Sequence, residues 1–485
     1  MRRRIDLNTP SESIKTASLA NFGSKVVNVL MQLVITMVLA RLLTPEQYGT
    51  VAVLTAFSGI FAILADAGIS AAIAQAQDLD ESEYNRLLFL SLIIGIVLTL
   101  GFCLLSVGIA WFYGNVIYVP LGCFMSLAVL FNALNMVPNG VLLKQRKFKL
   151  MAARLVVSTF VVGIIAILLA YLGFGAFAIV ANSVLSSLFI LIWNLAGAHL
   201  RMSVGELHGV LAKVGSFSAY SLGASLIGWF ANNLDSLIVG KLFGSAELGY
   251  YNKALNIYAY PLNVLAAPIT DTILPFLAPI REDKEALRSR FIGVFRKVSF
   301  ISAMCTAGMH VCAAEVILIM YGDNWAPAIP MLSVLAFAVY SRGINGTFGA
   351  LFNACGRADL LMRSTGINTA VTVSMICLGG VLGSVQTLAI CVAIAYNIEI
   401  FAPIFLCSHY CLGISVPKFF VHLLPDIAEA LAVTALAALV PWSIQNVFLS
   451  LVLKGGLVVG AMAGFKAVTD WAFYHERFSI RLFFR

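Results

Sequence analysis

Eight charged side chains are read as interrupting membrane-spanning apolar stretches of this 485-residue sequence: Lys25, Asp66, Asp235, Lys253, Asp271, Glu315, Arg342 and Glu399. A charge near the centre of a bilayer costs at least about 2.5–3.5 kcal/mol, so each must face protein or water and find a partner. At about 1.5 Å of rise per helical residue, Lys25 and Asp66 both lie roughly 10 Å inside the same surface and can form one salt bridge. Asp235 and Lys253 make a second candidate pair near the opposite surface. Each pair is either a bridge that fixes helix register or a gate whose carboxylate is freed when the pair opens. Arg342 stands among Tyr340, Ser341 and Asn345. Its planar, permanently charged fork of donors suits phosphate oxygens better than an ammonium would, and the competing reading is a bridge to Glu315 or Glu399. Tyr250, Lys253 and Tyr260 share a helix face, where rings can stack on sugars or belong to an interfacial tyrosine belt.

Reaction chemistry of other kinds has no support in the residue pattern. The six histidines, His199, His208, His310, His409, His422 and His475, are scattered. No H-E-x-x-H, G-x-S-x-G or P-loop is present, and the connections expected outside the membrane are too short to hold an acceptor, so an enzyme is not expected. The nine cysteines form no C-x-x-C pair and read as free thiols. Neither a metal nor an organic cofactor is implied, and the net charge of +8 has no nucleic-acid motif behind it.

The elements that must position these residues follow from composition. With 60% hydrophobic and 11% charged residues, the chain has too little polar surface to cover a soluble globule of its size. Apolar stretches of membrane-crossing length recur along it, and we read an all-α polytopic membrane protein of about fourteen transmembrane helices, including spans over 215–240, 248–278 and 297–321. Lys144, Arg146, Lys147 and Lys149 lie in the connection after helix four, and Arg281, Lys284, Arg288, Arg290, Arg296 and Lys297 in the one after helix eight. The connections near 113–116, 173, 322–324 and 383–385 hold no Lys or Arg. This asymmetry places both termini in the cytoplasm, with the basic start MRRRIDLNTPSESIK a retained tail.

The chain also repeats itself. A shift of 200 positions aligns Ser18 with Ser218, Gly23 with Gly223, Arg41 with Lys241, Leu42 with Leu242 and Gly49 with Gly249. A shift of 210 aligns Lys147 with Arg357, Leu150 with Leu360 and Gly173 with Gly383. A six-helix duplication follows, with an N-terminal lobe at 1–200, a C-terminal lobe at 201–411, and residues 412–485 adding helices thirteen and fourteen and a tail. Six is even, so the copies run parallel, and a substrate path is expected where the lobes face each other. Pro45 and Gly49 are read as breaking the first helix pair. Gly456, Gly460 and Gly464 form a small-residue ridge expected to pack on helix thirteen in preference to a second copy.

Several segments carry a family resemblance: RLLTPEQYG at 41–49, DAGISAAIAQ at 66–75, MVPNGVLLKQRKF at 136–148, ANNLDSLIVGKLFGSAELGYYNKA at 231–254 and GDNWAPAIP at 322–330. Together they resemble the polysaccharide-transport (Wzx-type) branch of the multidrug/oligosaccharidyl-lipid/polysaccharide exporter superfamily. That resemblance implies a MATE/MurJ-like fold of two six-helix lobes plus two C-terminal helices in the bacterial inner membrane. It implies a flippase that moves an oligosaccharide repeat unit on an undecaprenyl diphosphate-type carrier, for exopolysaccharide or lipopolysaccharide assembly, by alternating access. Membrane lipids, a polysaccharide polymerase and other assembly proteins are the implied partners. The family's N-x-D pattern faces the cavity and survives at Asn233 and Asp235. The expected substrate residues are then Arg342, Lys25, Lys253, Asn233, Asp235, Asn345 and Tyr260, with Asp66, Asp235, Glu399 and Glu315 for ion coupling or gating. The alternative is an ion-coupled antiporter for small organic cations; the mixed signs of the intramembrane charges favour an anionic substrate.

Overall fold

The computed structural model describes residues 14–66, 70, 73, 80–203, 225–226, 228–230, 232–440 and 444–474, with side chains described from 27 to 469 except at 81, 267, 268 and 271 within these ranges. The described residues are helical, without strands, and eleven helices among them are long and apolar enough to cross a membrane. The chain is a multi-pass membrane protein. Of the predicted span over 215–240, residues 215–224, 227 and 231 lie outside the described residues.

Two compact units divide the chain, Met1–Gly249 and Tyr250–Arg485. The first contains α1 (Ile14–Leu42), α2 (Pro45–Asp66), α3 (Glu81–Tyr113), α4 (Tyr118–Lys144), α5 (Phe148–Tyr171), α6 (Ala176–Ala198) and α7 (232–243). Here α4 packs between α3 and α6, while α5 packs on α1 and α6. Tyr84, Leu87, Met136, Val141 and Leu142 form part of its core. Helix α8 (Ser245–Pro261) runs from this unit into the second.

In the second unit follow α9 (Ala267–Leu277), α10 (Lys284–Val311), α11 (Ala313–Tyr321), α12 (Ala328–Ala354), α13 (Ala358–Val381), α14 (Val385–Ile398), α15 (Phe401–Leu406), α16 (Val416–Phe420), α17 (Leu424–Leu439) and α18 (Val447–Tyr474). Helix α12 packs between α10 and α14, repeating the α3–α4–α6 arrangement, and Phe291, Phe295, Phe348 and Phe419 interlock beside it.

Two expectations are corrected here. The span over 248–278 is not one helix: Pro261 lacks the N–H that would continue the ladder, and a π-helical turn at Leu262–Ala266 separates α8 from α9. The basic segment after it is not a connection either. Asp283 accepts from the N–H groups of Glu285 and Ala286, both at 3.0 Å, and starts α10 at Lys284. Leu287, Phe291, Phe295 and Val298 then form its buried stripe, leaving the basic residues on other faces.

The duplication is visible in backbone detail. Helices α4 and α5 recur 210 positions later as α12 and α13, with identical lengths of 27 and 24 residues. The turn between them recurs as well. Arg146 N donates to Leu143 O at 3.0 Å and Lys147 N to Leu142 O at 3.1 Å; Gly356 N donates to Asn353 O at 3.1 Å and Arg357 N to Phe352 O at 2.9 Å. Arg146, at φ 54°, occupies the left-handed position that glycine fills at 356, at φ 69°.

Thr44 and Gln47 cap α2 reciprocally: Thr44 N donates to Gln47 Oε1 at 3.1 Å and Gln47 N to Thr44 Oγ1 at 3.3 Å, with Pro45 at the first helical position. Gly49 does not break the helix, as the sequence reading held, but lies inside α2 and serves close approach. A Cβ there would sit 1.6 Å from Ser245 O, and one at Gly249 would sit 2.1 Å from Pro45 O. The repeat-related glycines thus lie against the first turns of each other's helices. Both obstructing atoms are backbone and cannot rotate away, so Gly49→Ala or Gly249→Ala is expected to cost about 1–3 kcal/mol. Thermal melting in detergent checks this. Gly108→Ala, where a Cβ meets nothing within 4 Å, should melt as the parent does.

The glycine ridge of the last helix is also corrected. A Cβ at Gly456, Gly460 or Gly464 would meet nothing within 4 Å, so these residues pack on no described neighbour. Instead Ser450, Lys454, Val458, Met462 and Lys466, spaced i, i+4, form the packing stripe of α18. Gly456 lies two residues from Lys454, on the opposite side of the helix.

Candidate functional site

In the second unit, α12 carries Arg342 toward α14. The guanidinium lies 4.4 Å from the centre of the Tyr396 ring, and its Nη1 is 3.8 Å from Glu399 Oε2. Tyr258 on α8 stacks on Tyr396, with centroids 6.5 Å apart and planes within 18°. Thr372 on α13 donates to Glu399 Oε1. One residue from the arginine, the Ser341 hydroxyl donates to Asn397 Oδ1 at 2.7 Å, and Asn397 Nδ2 donates to Ala393 O at 2.7 Å and Phe337 O at 3.3 Å. Helices α12 and α14 are therefore stitched by a satisfied amide beside the cation.

The electrostatics of this group are uneven. The Glu399 side chain is 6% exposed, whereas that of Arg342 is 33% exposed. A guanidinium has five N–H donors, and one loose carboxylate contact does not exhaust them. The arrangement fixes a cation by an aromatic face and a buried acid while leaving part of the guanidinium exposed.

Of the two bridges weighed from sequence, Arg342 makes the one to Glu399. Glu315 accepts instead from Lys454 Nζ at 2.5 Å and Ser450 Oγ at 2.7 Å, both on α18. The Lys253 ammonium, 4% exposed as a residue, lies 5.1 Å from the centre of the Tyr321 ring and 5.8 Å from that of Trp325, and Tyr250 meets Trp325 edge-on. Tyr250 and Lys253 thus share a buried aromatic wall. Asn345 and Tyr260 are partly exposed.

In the first unit, buried Asp235 accepts from Ser236 N at 2.7 Å. Asn233 donates to Trp229 O at 2.9 Å, so the asparagine of the N-x-D pattern is engaged with a backbone carbonyl four residues back. Asp66 accepts from the Ser70 hydroxyl, which also lies 2.9 Å from Met136 O. The side chains of Lys25 and Asp271 lie outside the described residues. Lys241 donates to Phe112 O and sits 4.2 Å from the centre of its ring.

Sequence reasoning missed three groups of polar contacts between helices. Lys466 pairs with Asp426 at 2.9 Å, and Lys454 with Glu315, fastening α18 to α17 and α11. Arg154 on α5 donates to Asn194 and Asn139. Each was visible as a charge in a largely apolar run, as at Asp426 in LPDIAEALAVTALAAL, but no motif surrounds it.

A model of the family described as polysaccharide biosynthesis protein matches residues 38–330. The lipopolysaccharide biosynthesis protein WzxC of Escherichia coli (strain K12) is 26% identical over 354 residues, covering 71% of this chain and 70% of the relative. The succinoglycan biosynthesis transport protein ExoT of Rhizobium meliloti (strain 1021) is 24% identical over 384 residues, covering 78% and 77%. Among solved structures, the lipid II flippase MurJ in an inward closed conformation superposes with a TM-score of 0.75 at 12% identity, over 94% of this chain and 98% of that one. The likeness to MurJ is one of fold.

Proposed function

From the premise that the chain belongs to the polysaccharide biosynthesis protein family, we propose that it is a flippase for a lipid-linked oligosaccharide. Its cargo in this reading is a repeat unit on an undecaprenyl diphosphate-type carrier, moved from the cytoplasmic to the outer leaflet of a bacterial inner membrane. Both termini are cytoplasmic by the distribution of Lys and Arg. The protein transports and does not catalyse, and polymerase and other assembly proteins act on what it delivers.

Arg342 carries the reading. A membrane-embedded guanidinium that is one-third exposed, while its acid partner is nearly sealed, is suited to exchange that partner for a diphosphate oxygen. Lys253, Lys25, Asn233, Asp235, Asn345 and Tyr260 extend the substrate path; Asp66, Asp235 and Glu399 supply counter-charge or ion coupling. Glu315, held by Lys454 and Ser450, belongs with the anchoring of α18. Alternating access between the two lobes, at 1–200 and 201–411, is the corresponding cycle.

The test is the pool of lipid-linked intermediates, read by mass spectrometry in cells with and without the gene. A complete, unpolymerised repeat unit accumulating on its carrier in the cytoplasmic leaflet is the expected result. An unchanged pool together with altered sensitivity to cationic drugs overturns it in favour of an antiporter for organic cations.

A further inference from the structure

At one end of the first unit, three cations are held by neutral groups. Lys144 Nζ donates to the Tyr84 hydroxyl at 2.7 Å, and Lys147 Nζ donates to Gly197 O at 2.9 Å. Arg154 donates to Asn194 Oδ1 and, at 3.0 Å, to Asn139 Oδ1. Asn194 is fully buried and spends its own amide on Asn135 Oδ1 at 2.6 Å, which locks its oxygen toward the guanidinium. Asn194 and Gly197 are one turn apart on α6, so the charges of Arg154 and Lys147 are stacked along the end of that helix. Arg154 lies six residues into α5, roughly 9 Å along the helix from its start.

Four cations of the second unit are held differently. Arg342, Arg357, Lys454 and Lys466 each pair with a carboxylate, on Glu399, Asp359, Glu315 and Asp426 respectively. Among the described residues no carboxylate answers Lys144, Lys147 or Arg154. Amide oxygens orient a guanidinium without neutralising it, and a membrane-embedded charge calls for a counter-charge. Two of its five donors are used, so three remain for an acceptor. At that distance from the start of α5, the guanidinium is within reach of lipid phosphates at the face to which charge asymmetry assigns Lys144, Lys147 and Lys149.

We propose that Arg154, its Asn135–Asn139–Asn194 cradle and Lys147 at the rim form a binding site for the phosphate of an anionic lipid. The phosphate comes from a bulk phospholipid or from the diphosphate of a carrier lipid, and only the second source rests on the flippase reading. Native mass spectrometry of the full chain in detergent, titrated separately with phosphatidylglycerol, undecaprenyl diphosphate and neutral diacylglycerol, tests it. Arg154→Gln is expected to weaken at least one phosphate lipid tenfold or more and to leave diacylglycerol unchanged, with Arg154→Lys recovering part of the loss. Loss confined to phosphatidylglycerol identifies a phospholipid site and leaves the flippase reading untouched, since that reading stands or falls on the intermediate pool. Loss for undecaprenyl diphosphate identifies a carrier site. Unchanged binding of both phosphate lipids to a normally melting Arg154→Gln protein, or an equal loss for diacylglycerol, overturns the proposal. If Arg154→Gln melts abnormally, Lys147→Gln decides: a threefold or greater loss of phosphate lipid supports the site, and unchanged binding overturns it.

Discussion

Alanine at Asp426 is expected to remove about 3–5 kcal/mol of stability, the cost of leaving one member of a buried ion pair without the other. Asp426 is 1% exposed and Lys466 6% exposed as side chains, with Nζ and Oδ1 2.9 Å apart. The second carboxylate oxygen accepts from the Ser299 hydroxyl at 2.5 Å, which lies 3.0 Å from the Tyr340 hydroxyl. One carboxylate therefore joins α18, α17, α10 and α12. Removing it takes the counter-charge from a buried ammonium and the acceptor from the Ser299 hydroxyl. Thermal melting in detergent should show a large drop for Asp426→Ala and for Lys466→Met. The double variant Asp426→Leu with Lys466→Met should recover most of it, because an apolar pair of similar size leaves no charge to solvate. Equal losses for single and double variants would mean that packing volume, not charge, is what matters. Asp359→Asn, which breaks an exposed pair with Arg357, should leave the melt unchanged.

That network shows where the sequence was legible and where it was not. Run length reveals the membrane-crossing character of the chain, because a bilayer demands about twenty apolar residues whatever surrounds them. The repeat was legible because its turns need particular backbone: Gly173 and Gly383 both sit at left-handed φ, 86° and 87°, and the alignment at 210 positions found them. The meeting of Gly49 with Ser245 and of Gly249 with Pro45 was not legible, since a glycine selected for close approach looks like one selected for a bend. The ridge at Gly456, Gly460 and Gly464 misled for the same reason. At the candidate site Arg342 and Glu399 were recognisable as membrane charges, but Tyr258 and Tyr396 were not singled out among fifteen tyrosines. Which tyrosine meets the guanidinium depends on how α14 faces α12, and no local pattern of residues encodes that. Asp426, Lys454 and Lys466 escaped notice because helices outside the repeat offer no aligned partner against which a lone charge stands out.

Arg342→Gln is expected to lower polysaccharide export at least tenfold at equal membrane abundance, with Arg342→Lys intermediate. A charge-assisted hydrogen bond to phosphate is worth about 1.5–3 kcal/mol, which is about ten- to a hundredfold. The lysine keeps the charge and loses the fork and the stacking on Tyr396. Export alone would not separate a substrate contact from a structural one, because the single change also leaves Glu399, held by Thr372, without its cation. The pair of variants Arg342→Gln and Arg342→Gln with Glu399→Gln makes the separation. Removing both charges relieves the stranded acid, so the double variant should regain the parent melting temperature under either role. If Arg342 exists to balance Glu399, export returns with stability. If the guanidinium receives the anion, export stays low in a protein that melts normally, and Glu399→Gln alone retains binding of the carrier diphosphate because its cation is freed instead of lost. Full recovery of export in the double variant would remove Arg342 from the substrate path and leave it a structural partner of α14.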